Sequence, residues 1–448
     1  CDTMKENGKG GIGMQKTKLS PRFWLALTLF SLIGQVAWVV ENMYFNVFIY
    51  KMFHASASDI SLMVAASAIA ATVTTLLIGA LSDKLGKRRL FICGGYILWG
   101  ISIWCFAALR VDVIASIFPM AASAASVGVS LVIIMDCVMT FFGSSANDAC
   151  FNAWLTDATD ATNRGSAEGV NAMMPLIAIL VVFGGFMGFD LDCAESWTVI
   201  YAIIGSVVLI AGILGFFLIR DTGVKTEENQ SYFKNIFYGF RPGVVRENKI
   251  LYAVLAAFAL FGISIQIFMP YLILYYNVSL GMDNYVLIMA PAIVLAALVT
   301  VFYGKLYDRL HFRKTVIPAV LMLMAGYVLL YIFRSTVPVF LGSLLMMSGY
   351  LAGMAVFGAM LRDRTPAHRA GMFQGLRIVG QVLIPGIIGP AIGAFVLRNA
   401  QKIVNDDGTE SFLPNGNIFL AALIAAAVLL LALAAVFRLL KKEEAHAQ

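Results

Sequence analysis

The sequence predicts an all-α membrane protein of twelve transmembrane helices in two pseudo-symmetric six-helix bundles. Three observations carry that expectation. The chain is 60% hydrophobic and only 13% charged, with a mean hydropathy of +0.84, whereas soluble domains carry about 25% charged residues. Such a chain cannot cover itself with polar surface in water. A spanning helix needs about 20 mainly apolar residues, and segments of that kind recur roughly twelve times along the 448 residues. Finally, one loop occurs twice, half a chain apart, as Gly79-Ala-Leu-Ser-Asp83-Lys84-Leu-Gly86-Lys87-Arg88-Arg89 and as Gly304-Lys-Leu-Tyr-Asp308-Arg309-Leu-His311-Phe-Arg313-Lys314.

In order, the predicted spans are 23–49, 59–81, 90–109, 124–150, 169–189, 197–219, 250–276, 284–304, 315–333, 337–360, 371–397 and 417–437. Stretches such as 198–219 and 418–437 are apolar all round, where a soluble helix would keep a charged face. Residues 113–125 are too apolar for a simple loop and are expected to be a helical overhang or a re-entrant segment. Residues 1–22 are polar and Lys-bearing, without the apolar core of a cleavable signal. The longest polar interruption contains Arg220, Asp221, Lys225, Glu227, Glu228, Arg241 and Arg246. It divides a first bundle (23–220) from a second (250–438). The expected organisation is completed by an N-terminal cytoplasmic segment (1–22), a central cytoplasmic loop (221–249) and a tail (439–448).

Basic residues orient the bundle. With the amino terminus inside, 26 of the 32 Lys and Arg residues fall on inside segments, five on outside loops (Lys51, Arg110, Arg334, Arg398, Lys402), and the remaining one, Arg377, within a span. Cytoplasmic loops attract such an excess. Both termini are therefore expected in the cytoplasm of a cell-membrane protein, and the net charge of +6 needs no nucleic-acid partner. Cys93, Cys105, Cys137 and Cys150 read as small apolar residues within helices. No zinc spacing and no phosphate-binding Gly-rich loop occurs, and the four histidines are scattered, so neither a metal or other cofactor nor an enzymatic activity is expected.

The repeated loop resembles the signature that joins the second and third helices of the major facilitator superfamily: Gly, three residues, Asp, a basic residue, one residue, Gly, then two basic residues. Gly79 to Arg89 fits every position, and the second copy departs at His311. The resemblance implies a major facilitator fold. Gating roles are expected for Gly79, Asp83, Lys84, Gly86 and Arg88, for Asp308, Arg309 and Arg313, and for the later loops bearing Asp157 and Arg164, and Asp363 and Arg369, beside the alternative that Lys84, Lys87, Arg88 and Arg89 anchor the loop at anionic headgroups. Internal repeats in transporters place the binding site near mid-membrane, between the halves.

Ionisable side chains inside spans are costly and are functional candidates by default. Three lie well inside their apolar stretches: Glu41, Asp136 and Arg377. Asp148 lies about three turns beyond Asp136, toward the expected cytoplasmic surface. Helical spacing gives them polar company. Gln35, Trp38, Asn42 and Asn46 recur on the first span with Glu41 at the border of that face. Asp136, Thr140, Ser144 and Asn147 line the fourth, and Gln374, Arg377 and Gln381 the eleventh. Two acids and one base cannot pair one to one. If Arg377 pairs with either acid, the other carboxylate is left to exchange a proton, which would link solute and ion capture.

The pattern further resembles the glycoside-pentoside-hexuronide cation symporters, the melibiose permease-like branch of the superfamily, in the acids on the first and fourth helices, the base on the eleventh, and Asp157 with Arg164 in the following loop. That resemblance implies a sugar or glycoside as solute. The paired aspartates that bind sodium in melibiose permease have no counterpart in 61–81, which offers only Ser67, Thr72, Thr74 and Thr75, so a proton is the expected coupling ion. Gln266 and the tyrosines Tyr271, Tyr275 and Tyr276 could add hydroxyl-binding groups, or the tyrosines could form an interfacial girdle. Two other readings stand beside a monomeric sugar symporter. One is a proton-coupled exporter of cationic amphipaths using Met173, Met174, Met346 and Met347, against which Arg377 argues. The other is an uncoupled lipid handler or receptor.

Overall fold

The structure, a computed structural model, describes residues 18–119, 123–160, 163–221, 238–365, 375–405 and 408–447. Its helices are α1 (Pro21–Phe53), α2 (Ala57–Leu85), α3 (Arg88–Phe106), α4 (Val111–Ile117), α5 (Ala124–Asp157), α6 (Arg164–Phe186), α7 (Ala194–Leu218), α8 (Pro242–Glu247), α9 (Lys249–Ser279), α10 (Val286–Ile332), α11 (Thr336–Arg364), α12 (Gly375–Leu397) and α13 (Asn417–Ala447). A small antiparallel hairpin, β1 (Lys402–Val404) with β2 (Glu410–Phe412), precedes α13.

Among the described residues, eleven helices are long and apolar enough to cross a membrane. One of them makes two crossings. α10 has 47 residues, which at about 1.5 Å per residue far exceeds a hydrocarbon core of about 30 Å. Its backbone leaves helical geometry at His311, with φ 57° and ψ 176°. The chain therefore makes the twelve passes its hydropathy predicts.

Helix ends follow local chemistry. The Ser20 hydroxyl accepts a bond from the Phe23 N–H with Pro21 as the first helical residue, a favoured start because proline has no N–H to leave unpaired. Ser56 and Asp59 close a reciprocal capping box at α2. The segment expected as an overhang or re-entrant loop contains a separate short helix, α4, that buries Ile114 and exposes Val111 and Ile117. The hairpin has no sequence signal of its own, since three-residue strands are too short to show an alternation.

Small residues let helices approach within each half. A Cβ on Gly100 of α3 would lie 2.6 Å from the Leu209 amide of α7, and one on Gly326 of α10 would lie 2.4 Å from the Met346 amide of α11. In lipid, where apolar surface gains nothing by association, such close backbone packing holds helices together. Tyr271, Tyr275 and Tyr276 are buried at 0–1% exposure and bond to Ala57 O, Leu330 O and Ser343 Oγ. They form packing contacts rather than a girdle.

The two ends of the bundle differ. At the face opposite the chain termini, bonds join the first half to the second: Tyr44 Oη to Tyr285 Oη at 3.0 Å, Tyr50 Oη to Phe412 O at 2.6 Å, and the Asn405 amide to His54 Nδ1 at 3.0 Å. At the terminal face, Arg88–Asp157, Arg364–Glu443 and Arg313–Glu444 each pair residues of one half. Deeper in, a Cβ on Gly386 would meet Ala68 Cβ at 2.6 Å, so α2 and α12 touch directly.

Candidate transport site

A chamber of about 340 Å³ lies between the halves, walled by α1, α2, α5, α9 and α12. Its volume falls within the about 300–1,000 Å³ usual for small-molecule sites. Carboxylates and amides dominate the polar part of its wall: Glu41, Asp136 and Asp148 with Gln35, Asn42 and Asn46 from the first half, and Gln266 and Gln381 from the second. No Lys or Arg lines it among the described residues.

At its centre Glu41 Oε1 accepts two hydrogen bonds, from Ser67 Oγ at 2.8 Å and Thr140 Oγ1 at 2.9 Å, and those two hydroxyls are 2.8 Å apart. Three helices thus converge on one oxygen. Glu41 and Asp136 are 7% and 2% exposed. The second oxygen of Glu41, Asp136 Oδ1 and Asn46 Oδ1 have no hydrogen-bond partner. Further along the wall Asp148 accepts from Ser144 Oγ at 3.0 Å, and the Trp38 ring packs against Trp99 at 5.1 Å between centroids.

Local winding decides which side chains reach the chamber. α1 is π-helical over Val40–Tyr44, α5 over Ser144–Phe151 and α12 over Val379–Leu383. π-bulges insert an extra residue per turn and shift the face that follows. Glu41 and Asn42 lie in the first of these segments, Asp148 in the second and Gln381 in the third. Asp148 therefore joins the chamber instead of the terminal surface. Ser144 and Asn147, placed on the stripe by a 3.6-residue period, bond to Asp148 and to the Tyr96 hydroxyl.

The residues predicted from sequence divide accordingly. Gln35, Trp38, Glu41, Asn42, Asp136, Thr140, Gln266 and Gln381 come together around the one chamber. Arg377 does not join them. Among the described residues no ion pair links it to Glu41 or Asp136, and its Nε is buried without a hydrogen-bond partner. Gln374 and Arg369 lie outside the described residues, as do the side chains of Asp83 and Arg164. Sequence reasoning placed Asn46 on the face beside Glu41 but missed Ser67 as a hydrogen-bond partner of that acid. Ser67 had been noted only as a residue that cannot replace an aspartate.

The repeated loop clamps the terminal face of the first half. Gly86 takes φ 63° and ends α2, its N–H bonded to Ser82 O at 2.9 Å. Arg88 is 6% exposed and bonds Asp157 at 2.5 Å and Ser82 Oγ at 3.2 Å. Arg89 presents its backbone N–H to Asp221 and its guanidinium to Phe216 O. In the second copy, Tyr307 donates to Asp363 at 2.6 Å.

The sequence matches the description "Major Facilitator Superfamily" over residues 23–358 and 294–448. The chain belongs to the major facilitator superfamily. It is a secondary transporter of small molecules and not an enzyme. A comparison with curated proteins finds no match. Among solved structures, this superfamily member is similar to the nucleoside transporter NupG (13% identity, TM-score 0.66, covering 93% of this chain and 98% of that one). It is also similar to a D-xylose-proton symporter (12%, 0.64, 92% and 97%) and to a bacterial homologue of the human lysosomal transporter Spinster in an inward-facing, unoccupied conformation (15%, 0.64, 94% and 97%). At these identities the likeness is one of fold.

Proposed function

We propose that this superfamily member moves a small polyhydroxylated solute of the sugar or glycoside class across the cell membrane by alternating access, coupled to protons. The observation that carries the reading is the buried Glu41 carboxylate, shared by Ser67 and Thr140 beside Asp136 in a chamber between the two halves. Acids held in a low-dielectric, water-reachable chamber without basic partners are relieved by a proton. Amides and hydroxyls around them offer the paired donors and acceptors that sugar hydroxyls require. α2 contributes Ser67 and no carboxylate to the chamber, which favours a proton over sodium. Similarity of fold to a D-xylose-proton symporter and a nucleoside transporter is consistent with a polar cargo.

With both termini in the cytoplasm, as the distribution of Lys and Arg indicates, the closed face is the outer one and the chamber faces inward. Transport then consists of rocking residues 1 to about 220 against about 250 to 448 around the Gly386–Ala68 contact. Both walls come from one chain, so a monomer suffices. Export of amphipaths is less favoured, because Met346 and Met347 are buried in helix packing and the chamber wall is polar. The melibiose permease-like resemblance keeps its two acids but lacks its base at the chamber.

The test is accumulation of labelled mono- and disaccharides in proteoliposomes under an imposed pH gradient. Gradient-dependent uptake that Glu41→Gln abolishes is the expected result. Uptake indifferent to the gradient, or unchanged in Glu41→Gln and Asp136→Asn, overturns the coupling.

A further inference from the structure

The chamber wall is unbalanced in two independent ways. In charge, three carboxylates (Glu41, Asp136 and Asp148) face it and no basic side chain does, among the described residues. In hydrogen bonding, the buried wall atoms left without partners are three acceptors, Glu41 Oε2, Asp136 Oδ1 and Asn46 Oδ1, against one donor, Trp38 Nε1. Asn42 and Asn46 each commit one of their two amide N–H donors to a backbone oxygen one turn back, at 2.7 and 2.9 Å. Asn46 and Asp136 are at least nine-tenths buried, so their unpaired oxygens are not satisfied by bulk water, and an unpaired buried acceptor is costly.

A neutral sugar repairs only part of this. A hydroxyl donates one hydrogen bond and needs acceptors and donors in return, and it leaves the charge untouched. One proton offsets one of the three carboxylates. A primary ammonium donates three hydrogen bonds, needs no donor in return and, as part of the cargo, offsets a further carboxylate. Arg377, the group that would repel such a cargo, is not on the wall.

We infer that the solute is a polyhydroxylated molecule bearing a primary ammonium group, an amino sugar or amino-substituted nucleoside, with the ammonium seated among Glu41, Asp136 and Asn46. This rests on the reading of the chamber as the transport site and narrows its cargo. The amides Gln266 and Gln381 on the opposite wall are then left for the hydroxyl end of the solute.

The test is equilibrium binding to the purified full-length protein in detergent, comparing matched pairs: glucosamine against glucose and N-acetylglucosamine, and galactosamine against galactose and N-acetylgalactosamine. The expected result is that an amino member binds at least about tenfold more tightly than its neutral partners, a difference of about 1.4 kcal/mol. Asp136→Asn should reduce that ratio toward one, while Asp136→Glu, which preserves charge, should keep most of it and report that the fold is intact. Equal or tighter binding of the neutral partners overturns the inference, as does failure of every amino member to bind, or a preference unchanged in Glu41→Gln, Asp136→Asn and their double variant. Proton-driven uptake of neutral sugars with no amino preference would leave the proposed function standing and remove this inference. Amino preference without gradient-driven uptake would do the reverse.

Discussion

Arg88 and Arg313 occupy corresponding places in the two copies of the repeated loop, and their surroundings differ sharply. Arg88 is buried against Asp157 at 2.5 Å, while Arg313, with a side chain 45% exposed, reaches Glu444 at 3.5 Å. Between them, Gly86 turns the first loop at φ 63°, and at the matching place in the second loop His311 holds φ 57°. The duplicated motif keeps a positive φ at this place in both halves, with ψ 15° in the first and 176° in the second, and among the described residues its buried ion pair is present only in the first. The chamber shows the same asymmetry. Every acid on its wall comes from the first half, and the second supplies Gln266 and Gln381. Among the described wall residues, the carboxylates belong to the first half and the second contributes only neutral groups.

The largest test of that contrast is Arg88→Ala. Removing one partner of a buried pair typically costs about 3–5 kcal/mol because the other charge is left behind. A large fall in the thermal-unfolding midpoint in detergent is expected, partly recovered when Asp157→Asn is added. A stable Arg88→Ala protein would erase the difference between the copies. Next is the chamber. Glu41→Gln should lower gradient-driven accumulation by about 100-fold, whereas Gln381→Ala should raise the half-saturation concentration by about tenfold or less, the scale of one neutral hydrogen bond. Equal losses from the two would contradict the assignment of chemistry to the first half.

Smaller effects come from the turns. A non-glycine residue at positive φ carries about 1–2 kcal/mol of strain. His311→Gly should therefore stabilise the protein by up to about 1 kcal/mol, and Gly86→Ala should destabilise it by a similar amount, both read from unfolding midpoints. The smallest effect expected is that of Arg313→Ala, within about 1 kcal/mol and shrinking with added salt, as exposed ion pairs do.

Much of the fold was legible because lipid imposes a length and a composition on each pass. Even the break of α10 at His311 was foreshadowed by the repeated loop, where Gly86 ends α2 at the matching position. Glu41, Asp136, Gln35, Asn42 and Thr140 were legible for a related reason: an unpaired polar group is too costly in a span to be there by accident. Asp148 and Arg377 lie elsewhere than a 3.6-residue period places them, at points where the helical period itself changes. Counting by 3.6 put Arg377 and Gln381 on one face, but the π-helical turn at Val379–Leu383 lies between them and turns only Gln381 to the chamber. The turn at Ser144–Phe151 brings Asp148 inward by the same means. Hydrogen-bond ladders set those turns, and residue type gives them no distinctive mark.

The Lys402–Phe412 hairpin has a consequence of its own. Because Asn405 bonds His54 just past the end of α1 and Phe412 O accepts from Tyr50 in its last turn, the balance between facing directions in the proposed transport cycle would rest partly on groups that do not line the chamber. A few weakened bonds there would retune how often the transporter turns outward, while the chamber's own affinity stays as it was.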